Sequence, residues 1–153
     1  MGMIKLPENS IEYFKKNLDK IFQTGNLAEG QWNKCLGDYV KDLTGSKISV
    51  CTNSNGAGLV ALLSIYRYYY NRNLVLIQSN TMYGVKTMVP SGGCKLAGFI
   101  NCQLESLMPS IQDIKDSISN FSEGKKSKLI ILLSHIGGII NPDIVEIASL
   151  CKD

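Results

Sequence analysis

The sequence predicts an α/β fold of three layers, αβα, built on a small, mostly parallel sheet of about four strands. Two observations carry this expectation. Short, predominantly apolar runs recur at residues 48–51, 74–78, 96–100 and 128–134, and stretches with helical periodicity separate them. The runs lack the polar-apolar alternation of a half-exposed strand, so both faces of the sheet are expected to be covered, with right-handed crossovers between parallel neighbours.

The elements follow in order. Ile11, Phe14, Leu18 and Ile21 recur at helical spacing after Pro7-Glu8-Asn9-Ser10, and Gly25 ends the run. A second amphipathic helix is expected over 31–43, with Trp32, Cys35, Leu36, Tyr39, Val40 and Leu43 on one face and Gly45 as its cap. Both precede the first expected strand, at 48–51. Asn53-Ser54-Asn55-Gly56-Ala57-Gly58 then reads as a turn into an apolar helix over 59–69. The second strand is expected at 74–78, a short helix at 83–89, and the third strand near 96–100 after Gly92-Gly93. Pro109 is expected to open a helix reaching about Asn120, with Ile111, Ile114 and Ile118 along one face. Residues 128–134, Lys-Leu-Ile-Ile-Leu-Leu-Ser, form the strongest strand signal, and Pro142 is placed at the first position of a last helix over 143–150. The 153 residues read as one domain, with residues 1–45 as leading helices and 46–153 as the alternating sheet domain.

Composition narrows the functional classes. With 44% hydrophobic and 19% charged residues the chain is expected to fold. A net charge of +3, and a basic run Lys125, Lys126, Lys128 set among Ser122, Gly124 and Ser127, point to a solvated loop and away from nucleic acid. The five cysteines contain no C-x-x-C pair and the single His135 has no companion for a zinc site, so a reduced, cytoplasmic protein without metal is expected. The start, Met-Gly-Met-Ile-Lys-Leu, lacks a signal-peptide core, and Leu6 departs from the myristoylation pattern. No apolar run reaches membrane-spanning length.

In an open parallel sheet ligands bind beyond the carboxyl ends of the strands, which selects residues 52–58, 79–84, 101–103 and 134–138. Asn55, Gly56, Ala57 and Gly58 would present backbone N–H groups at a helix start, where a phosphate-containing molecule is held by hydrogen bonds and the helix dipole. Glycines serve equally in any tight strand-to-helix turn, and the segment matches neither the Walker pattern nor G-x-G-x-x-G. His135 stands at the end of the strongest strand, where it either contacts a ligand or hydrogen-bonds backbone. Tyr66, Tyr68, Tyr69 and Tyr70 with Arg67 and Arg72 form either an interaction surface or an ordinary helix end.

The order of these features resembles the DegT/StrS nucleotide-sugar aminotransferases, a branch of the fold type I pyridoxal phosphate (PLP) enzymes. Gly25 through Gly30 and then Leu43-Thr44-Gly45-Ser46-Lys47 are similar to that family's opening segments. Asn55-Gly56-Ala57-Gly58-Leu59 resembles its phosphate loop, with Ala57 in the threonine position. Thr81-Met82-Tyr83 resembles the segment whose aromatic ring stacks on the cofactor, although Met82 occupies the stacking position. Gly93-Cys94-Lys95, Leu107-Met108-Pro109, Ser134-His135-Ile136-Gly137-Gly138 and Asn141-Pro142-Asp143-Ile144 are similar to later stretches in the same order. The resemblance implies PLP as cofactor and Asn55, Gly56, Ala57, Gly58, Met82, Tyr83 and His135 as the residues around it.

The resemblance also implies a truncation. The family's acidic residue after the third strand has no counterpart among Ile100, Asn101 and Cys102. The aspartate that pairs with the pyridine nitrogen and the Schiff-base lysine are expected beyond residue 153, so a PLP-binding chain without transaminase activity of its own is expected. Lys86 and Lys95 read as surface charges. The other reading is a non-catalytic interaction protein with a vestigial pocket. The family's later strands would separate the first strand from the other three. Without them the expected order is 1-4-2-3, or else another copy or a homologous chain fills the gap, which makes an oligomer the expectation.

Overall fold

The computed structural model describes residues 5–28 and 30–152. The chain divides into two compact units, residues 1–51 and 52–153. In the first, α1 (Glu8–Thr24) and α2 (Gln31–Thr44) both end on a left-handed glycine, Gly25 at φ 66° and Gly45 at φ 69°. Only glycine takes this conformation without steric cost, which is why the sequence marks both ends so clearly. Tyr13 and Trp32 meet edge to face with ring centroids 6.2 Å apart, joining the two helices. Residues 46–51 run along α2: a Cβ on the buried Gly37 would lie 3.4 Å from the Ser49 carbonyl, and the Cys51 thiol donates to the Asn33 carbonyl at 3.3 Å.

The run at 48–51 was expected to be a strand, and it is not one. Ile48 and Val50 are 78% and 77% exposed, and no ladder forms over them. β-Propensity describes a side chain that packs on a sheet, and without a neighbouring strand neither the packing nor the backbone hydrogen bonds exist.

The second unit contains α3 (Asn55–Tyr70), β1 (Leu74–Gln78), α4 (Tyr83–Ser91), β2 (Lys95–Ile100), α5 (Ile111–Ser119), α6 (Glu123–Lys126), β3 (Leu129–Leu132) and α7 (Ile144–Leu150). The three strands are parallel in the order β2-β1-β3. Relative to one another these strands keep the expected order, with the strongest strand beside the second. Between β1 and β2 the register shifts after Val75, which faces Leu96, while Leu76 faces Gly98.

Side chains alternate across β1 and divide the core into two layers. Val75 and Ile77 point to one face and pack with Leu63 of α3, Val89 of α4 and Cys94. Leu76 points to the other and packs with Ile100, Ile114 of α5, Leu129 and Ile147 of α7. Val75, Ile77, Ile100 and Ile114 are fully buried, each contributing about 1.5–3 kcal/mol by the usual transfer scale. This is the three-layer αβα arrangement, reached with three strands in place of four.

Several element starts differ from expectation, and at α5 a side-chain cap outranks the proline. Pro109 precedes α5, whose start is set by Ser110, because Ser110 and Asp113 form a reciprocal capping box. Pro142 also precedes α7, which starts after Asp143; the Asp143 carboxylate makes no cap bond and instead accepts the Ile111 N–H at 2.8 Å. The basic run read as a loop contains the one-turn helix α6, with an exposed Lys126–Glu123 pair at 2.7 Å. The glycine segment read as a turn is the first turn of α3.

Candidate functional site

The site is built at the carboxyl ends of the strands, the start of α4 that follows β1, and the start of α3. Ser54 caps α3, and its hydroxyl accepts the Ala57 N–H at 3.1 Å. The Gly58 N–H is taken by the Ser54 carbonyl at 3.2 Å. The N–H groups of Asn55 and Gly56 belong to the turn in which a helix has no internal acceptors, so they face outward where the dipole favours an anion. Asn55 is exposed.

The two glycines also have a packing role. A Cβ on Gly56 would come within 2.6 Å of the Met88 methyl, and one on Gly58 within 3.2 Å of Thr52 Oγ1. The same Met88 methyl lies 3.8 Å from where a Cβ on Gly84 would be, so it sits between the first turns of α3 and α4. The structure therefore brings the Gly56 segment and the start of α4 together through one flexible thioether.

Met82 and Tyr83 open α4, Met82 as the residue before its first turn. Both are exposed, at 78% and 76%. Lys86 Nζ lies 5.8 Å from the centre of the Tyr83 ring and 6.0 Å from that of Phe99, a cation shared between two aromatic faces. Lys95, the other lysine considered from sequence, begins β2 and is thus at the opposite end of the sheet from the site.

His135 is exposed and follows β3 at the entry to a 3₁₀ turn, Ile136–Gly138. Its Nδ1 accepts the Asn141 N–H at 3.2 Å, so the backbone contact anticipated for a strand-end histidine is present. That bond leaves Nε2 to carry the proton of the neutral ring.

Sequence reasoning passed over the polar groups that join these segments. Thr81 and Ser134 share a hydroxyl hydrogen bond of 2.7 Å between the ends of β1 and β3. Gln78, the last residue of β1, is 1% exposed, and Asn141 is 2% exposed. Asn141 donates to the Pro109 carbonyl and accepts from the Asp143 N–H, each at 2.8 Å, fixing the start of α7 against that of α5. A polar residue closing an all-apolar strand was the available signal for Gln78; Asn141 sits in a loop and gave none. Among the described residues no group of three or more His, Cys, Asp or Glu is placed to hold a metal. Nor is any helix long and apolar enough to cross a membrane.

A parallel sheet covered on both faces defines an α/β domain of the class in which ligands, where they bind, sit at the carboxyl edge of the strands. The chain belongs to the DegT/DnrJ/EryC1/StrS aminotransferase family, whose model matches residues 8–153 along the N-terminal part of that family's domain. No curated protein matches the sequence.

Proposed function

We propose that this chain supplies the phosphate-holding part of a PLP site in a sugar-aminotransferase-like protein, and that the 153 residues by themselves bind the cofactor without transaminating. The observation that carries the reading is the start of α3. Of the four residues that the resemblance assigns to the phosphate, Ala57 and Gly58 give their N–H groups to Ser54, and Asn55 and Gly56 are the donors left in the first turn. These donors fit a phosphate dianion. When bound, PLP supplies an aldehyde and an electron-withdrawing ring for chemistry at amino groups.

This chain's residues divide the remaining tasks. Asn55 and Gly56 bind, Thr81 and Ser134 hold two of the rim segments together, and Tyr83 offers an exposed aromatic face at the start of α4. Lys86 stays engaged with Tyr83 and Phe99, so covalent attachment through it is disfavoured. We further propose a homo-oligomer or a complex with a homologous chain, in keeping with the large apolar side chains left exposed on α1 and α2, among them Phe14, Phe22, Tyr39 and Leu43.

A titration with PLP, followed by its visible absorbance, tests the proposal. Saturable binding with the spectrum of the free aldehyde, competition by inorganic phosphate and loss in Gly56→Asp are expected. A second reading, a non-catalytic interaction module, is favoured by one observation: the Met88 methyl already packs on Gly56. Absence of PLP binding would decide for that module.

A further inference from the structure

The carboxyl end of the sheet contains a connected polar network, and one buried carboxamide is at its centre. Gln78 Oε1 accepts the Ser134 N–H at 3.2 Å, and Gln78 Nε2 donates to Asn80 Oδ1 at 2.7 Å. Asn80 Oδ1 also accepts the Cys102 thiol at 3.3 Å, while Asn80 Nδ2 donates to the Leu107 carbonyl at 2.7 Å. The relay thus starts at the end of β3, crosses the end of β1, and finishes in the loop after β2.

That loop is strained where the relay ends. Leu107 has φ 57°, a left-handed conformation that costs a non-glycine residue about 1–2 kcal/mol. Such a conformation persists when its surroundings over-determine it. Here the Leu107 N–H donates to the Gln103 carbonyl at 2.9 Å, the Gln103 N–H donates to the Met108 carbonyl at 2.9 Å, and Asn80 holds the Leu107 carbonyl. No buried side-chain nitrogen or oxygen among the described residues lacks a partner, so the network is satisfied as it stands.

We infer that Gln78 and Asn80 are positioning residues, a carboxamide pair that holds the ends of all three strands, and with them Thr81–Tyr83 and Ser134–His135, in one arrangement. A carboxamide suits this task because it donates and accepts at once and stays neutral when buried. Orientation is the vulnerable property. A Gln side chain turns freely unless both ends are engaged, and it is Asn80 that decides which way the Gln78 carboxamide faces. Asn80 therefore protects the Ser134 N–H through Gln78. The consequence for a cofactor rests on the phosphate-site reading; the coupling itself does not.

The test is amide hydrogen exchange by NMR on the full chain. In Asn80→Ala the Ser134 N–H is expected to exchange about tenfold faster than in the wild type, beyond any change at Val75 and Ile77 inside β1. Ser79→Ala, which removes only the 3.5 Å hydroxyl contact to Cys102, is expected to leave Ser134 unchanged. Asn80→Asp keeps the acceptor for Gln78 and loses the donor to Leu107, so it is expected to leave Ser134 protected and to speed exchange at Leu107. Should Asn80→Ala not fold, Asn80→Ser, whose side chain is too short to reach Gln78 Nε2, takes its place in the same comparison. Ser134 exchange that merely tracks Val75 and Ile77, or that rises equally in Ser79→Ala, overturns the relay. PLP titration of the same variants separates the two claims. Failure of the wild type to bind defeats the phosphate site and leaves the relay standing, whereas wild-type affinity in Asn80→Ala defeats the positioning role.

Discussion

Adding one methyl group at two glycines of the α3–α4 interface tests how that interface is packed. At Gly92 the new Cβ would lie 2.6 Å from Leu63 Cβ and 3.3 Å from the Val60 carbonyl. Neither atom can move without shifting the α3 backbone, and Leu63 is 2% exposed in the core. Overpacking of this kind costs about 1–3 kcal/mol. The backbone itself accepts alanine, since Gly92 has φ −79°, and loss of unfolded-state freedom returns about 0.4–1 kcal/mol. A net loss of about 1–2 kcal/mol is expected for Gly92→Ala, each kcal/mol lowering Tm by roughly 4–8 °C in a domain of this size. At Gly56 the atom in the way, also at 2.6 Å, is the free end of Met88, which turns aside. The gain in helix propensity, about 0.5–1 kcal/mol, then offsets the lost contact, and Gly56→Ala is expected within about 0.5 kcal/mol of the wild type. Urea unfolding of both variants, with Tm as a second readout, measures the contrast. Equal losses at the two positions, or a neutral Gly92→Ala, would refute the packing described for α3 and α4.

Two further outcomes are expected. The Ser110 hydroxyl and the Gln103 carboxamide hold the Asp113 carboxyl below the usual aspartate range, so its contribution to stability is complete above about pH 4 and is lost as pH falls through the lowered native value; the advantage of wild type over Asp113→Asn in urea unfolding should be constant near neutrality and shrink only in acid. At Leu107 the left-handed backbone favours glycine over alanine, so Leu107→Gly should be about 1 kcal/mol more stable than Leu107→Ala, and the reverse order would show that the turn relaxes.

Local chemistry was legible along most of the chain. The glycines that end α1 and α2 announced themselves because a left-handed cap admits few other residues, and the apolar runs of β1, β2 and β3 stood out because a doubly covered strand tolerates little polarity. The resemblance to a family likewise came from the order of short motifs, and the family match covers residues 8–153. Helix starts after Pro109 and Pro142 were misplaced by one or two residues: at Pro109 because Ser110 offered a cap that the proline signal obscured, and at Pro142 because a turn closed by the Asn141 side chain precedes the helix.

Non-local facts were decided by tertiary structure. Residues 48–51 have the composition of a strand, yet a strand exists only where another backbone completes its hydrogen bonds, and the sheet closes with three members. The use of Gly56 and Gly58 could not be read from their spacing, since Met88 and Thr52 fill the room that they leave. Gln78, Asn80 and Ser134 lie up to 56 residues apart and meet only because β1 and β3 are neighbours in the sheet. Periodicity and capping act over a few residues and are written in the sequence. Pairing and hydrogen-bond networks depend on which segments the fold brings together, and there the structure alone decides.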